Sequence, residues 1–394
     1  MTSWRTSMPA SGPPREPEPS VAIRHPALQH PVTDRDGVLQ FASIGGLDLE
    51  TGGYLPDVVL GYETWGRLDA DAGNAVFIAH ALTGSTHVAR GDTDEPGWWD
   101  DLVGPGKTVD TNRFYVVAAN MLGGCYGSTG PSSPDPQGLP WGSRFPFVTV
   151  RDSVRAEARL ADLLGIRAWH TVLGGSLGGA RALEWAVTEP GRVKRCAVIA
   201  ATAASTAEQI AFAQAQLAAI RLDPAFNGGD YYNGAPPLAG LGLARRIAHI
   251  TYRSEPELEY RFGRSPQGTE DPFGAPLPAQ RGRYAVESYL DHQAEKLVDR
   301  FDANTYLVLA EALAGHDVAR GRGSLREALR GTGAEFFIAA VESDRLYFPQ
   351  QSADLAAALP RGTSVHLIRA PIGHDGFLTN AQEIAGPLRV AFFA

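Results

Sequence analysis

The sequence predicts a doubly wound α/β protein: a mostly parallel sheet, helices on both faces, and a helical insertion cut into it. Three observations carry that expectation. The runs "NAVFIAHAL" (74–82), "FYVVAANML" (114–122) and "VKRCAVIAATAA" (193–204) are nearly unbroken apolar stretches, as central strands buried on both faces require. Between the second and third, strand and helix patterns alternate, the signature of crossover connections in a parallel sheet. Strand signals then fade from about 205 to 329 and resume at "AEFFIAAVESD" and "SVHLIRAP", so one sheet is interrupted rather than two domains joined.

Taken in order, residues 1–35 are rich in proline, serine and charge, too poor in apolar surface to offset ordering entropy, and are expected to form a flexible tail. Core sequence is expected over 36–204 and 330–394, with the helical insertion as a lid over 205–329. From "VLQFASIGGLDLETGGYLPDVVLGYETWG" onward, short β-prone runs alternate with Gly and Asp turns, which predicts an antiparallel edge of hairpins. "TVRDSVRAEARLADLLGI" sets Val154, Leu160, Leu163 and Leu164 at helical spacing and stops at Gly165; the strand "WHTVLGG" follows directly. Within the insertion, "AEQIAFAQAQLAAI", "GLARRIAHITYRS" and "YAVESYLDHQAEKLVDRF" read as helices joined by Gly/Pro-rich segments, and "SADLAAALP" is the helix between the last two strands.

Composition narrows the function. The chain of 394 residues has a formal net charge of -9, with its arginines scattered, so no electrostatic footprint for nucleic acid is expected. Two cysteines, Cys125 and Cys196, suit a reducing compartment. The N-terminal segment lacks an apolar signal-peptide core and no run has the length of a membrane span. A cytoplasmic protein without a membrane partner is the expectation.

The chemistry centres on "GGSLGGARALEWA" (174–186). Gly174, Ser176 and Gly178 match G-x-S-x-G, in which a serine on a sharp strand-to-helix turn projects its Oγ above the sheet. The bare pattern arises by chance roughly 0.3 times in a chain of this length and composition, so context decides. "HTVL" before it reads as a strand and "LGGARALEWAVTEP" after it as a helix ending near Pro190. Serine needs a base, and in this architecture an acid and a histidine follow it in that chain order at strand ends. Asp344 ends the run "FFIAAVESD", and His374 lies in "APIGHDGF" just past the last strand. The expected triad is Ser176, Asp344 and His374. Its oxyanion hole would use the backbone N–H of Leu177 and, from the loop "HALTGSTH" after an earlier strand, that of Leu82. The spacing of His80 and His87 fits no common zinc pattern, and Cys125 has no histidine paired with it in an ordered motif. No metal site is expected.

The blocks "HALTGSTHVA", "NMLGGCYGSTGPSSPDP", "LGGSLGGARALEW", "GLGLARRIAHITYRS", "RFDANTYLVLAEALAGHDVARGRG", "ESDRLYFPQQ" and "IGHDGFL" resemble the homoserine O-acetyltransferase family of the α/β-hydrolase superfamily. The resemblance covers nearly everything but the tail. It implies an α/β-hydrolase fold and acetyl transfer from acetyl-CoA, as co-substrate with no resident cofactor, to the side-chain hydroxyl of L-homoserine, an early step of methionine synthesis. It further implies that Ser176 carries the acyl group, that Asp375 binds the amino group of homoserine, and that Arg245 binds its carboxylate; a homodimer is the expected assembly. The bland alternatives are that Asp375 caps the next short helix, that Arg245 lies on a solvated helix face, and that the adjacent Arg246 is the ligand instead. The sequence departs from the family's usual Met and Gln at Ala180 and Arg181, and from Gln at Glu157. Succinyl-CoA as donor, serine as acceptor, an esterase or thioesterase with the same triad, and a non-catalytic protein of this fold stay open at this level.

Overall fold

The computed structural model describes residues 35–394; the expected tail, Arg35 apart, lies outside the described residues. Eight strands form one sheet: β1 (Gln40–Ser43), β2 (Val59–Trp65), β3 (Ala75–Ala79), β4 (Tyr115–Ala119), β5 (Thr171–Gly175), β6 (Arg195–Ile199), β7 (Glu335–Val341) and β8 (Val365–Ile368). Their spatial order is β1-β2-β4-β3-β5-β6-β7-β8. The first two strands pair antiparallel and β2 joins β4 antiparallel, while every later pairing is parallel. This is the mostly parallel sheet with an antiparallel edge that the apolar runs and the early Gly/Asp turns predicted. All five residues of β3, β4 and β5 are buried, because helices cover both faces.

The helices are α1 (Val150–Leu163), α2 (Leu177–Thr188), α3 (Ala207–Arg221), α4 (Leu238–Tyr252), α5 (Glu255–Arg261), α6 (Ala285–Val298), α7 (Ala303–Ala314), α8 (Leu325–Arg330), α9 (Pro349–Ala358), α10 (Gly376–Thr379) and α11 (Gln382–Leu388). Capping boxes start several of them. Thr149 exchanges hydrogen bonds with Asp152 at the head of α1, and Thr206 with Gln209 at the head of α3, each satisfying donors that a helix start leaves unpaired. Leu163, the last residue of α1, is exposed, whereas Val154 and Leu160 are fully buried beneath the sheet.

The helices α3 to α7 are inserted in the chain between β6 and β7, two neighbouring strands of the sheet, and pack on the segments that follow β3, β4 and β5. An apolar cluster joins them to the body: Leu82, Met121, Val150 and Leu177 from below meet Leu217, Leu241, Leu297 and Leu309 from above. By α8 the chain is back in the core layer. Its Leu329 packs in the cluster that holds Ile338 and Leu355.

Candidate active site

Ser176 sits between β5 and α2 with φ 57° and ψ -125°, a left-handed conformation that costs a non-glycine residue of order 1–3 kcal/mol. Its neighbours explain why it can persist. A Cβ on Gly178 would lie 2.0 Å from the carbonyl oxygen of Ala79, and one on Gly174 would lie 2.4 Å from the Gly178 carbonyl. Only glycine lets β3, β5 and the first turn of α2 come this close, and that closeness presents the Ser176 side chain above the sheet.

The three residues of the expected triad come together. Ser176 Oγ lies 2.9 Å from His374 Nε2, and His374 Nδ1 lies 2.6 Å from Asp344 Oδ2. A carboxylate can only accept, so Nδ1–H donates to it and Nε2 is left to take the serine proton. Asp344 is fixed in turn: its Oδ1 accepts from the backbone N–H of Leu346 at 2.8 Å and of Tyr347 at 2.9 Å. The imidazole is also wedged by rings. Tyr347 stacks on it at 5.0 Å between centroids, Phe377 stands at 5.4 Å and Tyr252 at 5.8 Å. Burial works against its charged form, but the charge and hydrogen bond of Asp344, with Asp375 adding to them, outweigh that and raise its pKa.

The two residues expected to supply the oxyanion hole lie beside the nucleophile. Leu177 follows it and is fully buried; Leu82 lines the same narrow cavity as Ser176, along with Phe212, Gln216, Ala310, Leu346 and Tyr347. Among the described residues neither N–H donates to another backbone group. The Leu82 loop is braced from behind. His80 Nδ1–H donates to Ala81 O at 2.8 Å, and its Nε2 accepts from Met121 N–H at 3.0 Å. Burial, helped by the nearby Arg181 charge, pulls His80 down to about 3, so it stays neutral and keeps both bonds. Farther along the loop His87 Nδ1 meets Glu63 Oε2 at 2.7 Å. Among the described residues, no cluster of three metal-ligating side chains forms.

Asp375 and Arg245 also converge on this end of the sheet. Asp375 occupies the N-cap position of α10, yet its side chain makes no capping hydrogen bond. Instead its Oδ2 lies 3.3 Å from the guanidinium of Arg253. Burial raises its pKa, opposed by Arg253, His374 and Arg245. Arg245, half-buried on α4, extends toward the oxyanion loop: its Nη1 is 3.4 Å from Thr83 Oγ1 and its guanidinium 5.7 Å from the Tyr252 ring centre. Its Nε is buried without a hydrogen-bond partner. Arg246 turns the other way and pairs with Asp291 at 2.8 Å, which separates the two adjacent arginines: only Arg245 faces the triad.

The α/β-hydrolase fold model matches residues 74–381. A homoserine O-acetyltransferase of Thermobifida fusca is 54% identical over 344 residues, 86% of this chain and 89% of that protein. One of Nocardia farcinica is 48% identical over 354 residues, 89% and 91% of the two chains. Among solved structures, homoserine O-acetyltransferase from Bacillus anthracis superposes with a TM-score of 0.84 at 27% identity, covering 91% of this chain and 98% of that one. Esterase E22 gives 0.80 at 27% identity, covering 90% and 99%. The chain belongs to the homoserine O-acetyltransferase family of α/β hydrolases.

Within that family setting, three features escaped sequence reasoning. Tyr252, packed between Arg245 and His374, is the last residue of α4, seven after Arg245 and on the same helix face, and Arg253, the partner of Asp375, is the extended residue just past the helix end. That periodicity was readable in "ARRIAHITYRS". Tyr347, three residues after the triad acid, carried no pattern of its own. Cys125 is a poor nucleophile where it stands, because burial pushes its thiol up to about 12 and so suppresses the reactive thiolate.

Proposed function

We propose that this chain transfers the acetyl group of acetyl-CoA to the side-chain hydroxyl of L-homoserine through an acyl-enzyme on Ser176. The observation that carries the reading is the pair of opposite charges beside the triad. Asp375 adjoins His374, and Arg245 offers a buried Nε with no partner. An α-amino acid zwitterion needs both charges matched when it leaves water, since a charge stranded in such a site costs several kcal/mol. An ester of unspecified acid has no use for that arrangement.

The parts act in two displacements. His374 Nε2 takes the Ser176 proton as Oγ attacks the thioester carbonyl, and the oxyanion rests on the N–H groups of Leu177 and Leu82. The C–S bond breaks, the sulfur receives the proton held by His374, and CoA leaves. Homoserine then binds with its ammonium at Asp375 and its carboxylate at Arg245. His374 draws the proton from its hydroxyl, that oxygen attacks the acyl carbon, and Ser176 departs with the proton returned. No resident cofactor or metal is required.

Two features favour transfer over hydrolysis and acetyl over succinyl. Water stands at ~55 M, so the acceptor must win through orientation and exclusion of solvent; α3 to α7, within the insertion spanning 205–329, serve as the lid. The narrow cavity at Ser176 is lined by uncharged side chains, among them Phe212, Ala213, Ala310 and Leu346, which suits a small neutral acyl group; Arg245 stands outside that lining, where the acceptor carboxylate is placed. We further assign a cytoplasmic homodimer. Leu243 and Ile250 stand exposed on the lid helix α4, as a subunit contact would use, and no described helix is long and apolar enough to cross a membrane.

The test crosses L-homoserine and L-serine with acetyl-CoA and succinyl-CoA, following thiol release and the acylated amino acid by mass spectrometry. O-acetyl-L-homoserine should dominate. Thiol release matched only by free acetate, unaffected by homoserine, would overturn the reading in favour of the hydrolase alternative that the likeness to esterase E22 keeps in view.

A further inference from the structure

We propose that the buried Arg181–Glu157 pair is a positioning device for the oxyanion loop, fixing where the Leu82 N–H points relative to Ser176. The inference rests on the assignment of Leu82 and Ser176 above and goes beyond it, to residues that touch neither substrate.

Both side chains have no exposed surface. Glu157 projects from α1, and its Oε1 accepts from Arg181 Nε at 3.0 Å and Nη2 at 2.5 Å, while its Oε2 accepts from the Trp185 indole at 2.7 Å. That leaves the outer N–H groups of the guanidinium, and they do not point at charge. Nη1 donates to the carbonyl of His80 at 3.3 Å and Nη2 to that of Ala119 at 3.2 Å.

Those two carbonyls lie where the sheet comes apart. The β3–β4 ladder ends at Phe77 and Val117, so beyond it the chains leading into the Leu82 loop and the Met121 loop have no mutual strand pairing. Arg181 bridges them from the α2 side. His80 bridges them again through its imidazole, which accepts from Met121 N–H at 3.0 Å and from Asn120 Nδ2 at 3.1 Å. Since Arg181 belongs to the helix that begins at Ser176, the nucleophile and the loop bearing the second oxyanion donor are tied through one planar side chain. Only a guanidinium can hold a carboxylate on one edge while two further donors reach separate carbonyls.

Stability alone does not account for the pair. Dehydrating two charges consumes most of what their attraction returns, and replacing a buried pair with apolar residues of similar volume is often neutral. Placement is different: a displacement of about 1 Å in a catalytic group can cost ~100-fold in rate.

The experiment uses R181M/E157L, which removes the pair without stranding a charge, and R181K, which keeps the pairing with Glu157 but cannot also span both carbonyls. Each is assayed for melting temperature, for the rate of thiol release from acetyl-CoA in the first turnover, and for KM of homoserine. The double variant should melt within a few degrees of wild type, yet release thiol about 10- to 100-fold more slowly, with the homoserine KM moved less than about twofold. R181K should be slowed about tenfold or more at an unchanged KM. First-turnover rates equal to wild type in R181K overturn the proposal, whether or not the double variant folds, as does a slowing that only tracks lost melting temperature. A wild type without any thiol burst would instead sink the acyl-enzyme reading itself, so the two failures are distinguishable.

Discussion

The triad and the acceptor pair are built in two different ways. Ser176, Asp344 and His374 each occupy the end of a strand or a turn beyond it, so the sheet sets the positions from which they reach hydrogen-bonding distance. Asp375 and Arg245 share no such frame. One follows the histidine on the core loop; the other rides on lid helix α4, and they come to the same end of the sheet because the lid is stitched to that loop. Ser254 N–H donates to Ile372 O at 3.2 Å, Ser254 Oγ donates to Pro371 O, and Asp375 N–H donates to Tyr252 O at 3.3 Å. On the proposed reading, acyl chemistry belongs to the sheet and acceptor recognition to the seam between the lid and the histidine loop, and the two should separate under mutation.

The largest expected effect tests the sheet half. Ser176→Ala should lower turnover by about 10⁶-fold, the scale of deleting a nucleophile that works as part of a triad, at nearly unchanged melting temperature. Wild type incubated with acetyl-CoA alone should show an acetyl adduct on the Ser176 peptide by mass spectrometry, and the variant none. Turnover near the wild-type rate in Ser176→Ala would falsify the two-displacement route.

Asp344→Asn should cost about 10⁴-fold in kcat, because an amide in place of the carboxylate favours the wrong imidazole tautomer. Its pH profile adds a signature. Asp344 raises the His374 pKa in the folded protein, and the base must be neutral, so the acid limb of kcat/KM for acetyl-CoA should lie above the ordinary histidine value of about 6.5 and move down in the variant. The linked stability has the matching sign. Protonated His374 favours the fold below about pH 6.5, and that contribution fades as pH rises through its elevated folded pKa. An acid limb that stays put in Asp344→Asn would break the assignment of the limb to this histidine.

On the acceptor side, Arg245→Ala and Asp375→Asn should each reduce kcat/KM for homoserine by about two to three orders of magnitude, the scale of removing a charge-assisted hydrogen bond and stranding its partner. Arg246→Ala should change it less than about threefold, since that side chain is spent on a partly exposed pair with Asp291. Steady-state kinetics with homoserine varied at saturating acetyl-CoA would check all three, and a larger defect in Arg246→Ala would reverse the register.

The same division governs what the sequence disclosed. The elbow and its strand-end partners follow local rules: an apolar strand, glycines where backbones touch, an acid and a histidine past later strands. They were legible because the parallel sheet converts chain order into position. The placement of Arg245 came from resemblance alone, since nothing in the periodicity of α4 says which of two adjacent arginines faces inward. The contact of Arg253 with Asp375 spans from the end of α4 to the histidine loop, and that pairing depends on how a helix docks on the body. Arg181 and Glu157 stood out as departures, but their meaning needed the gap between β3 and β4, which no one-dimensional pattern records.

The most direct test sets first-turnover thiol release from acetyl-CoA alone beside steady-state turnover with homoserine, in wild type, Arg245→Ala and Asp375→Asn. If acyl transfer to Ser176 is the work of the sheet and acceptor binding that of the lid and the loop it docks on, both variants will keep a burst within about threefold of wild type while kcat/KM for homoserine falls at least about 100-fold. A burst that falls as far as turnover would contradict the account, placing both residues in the service of the triad or the fold.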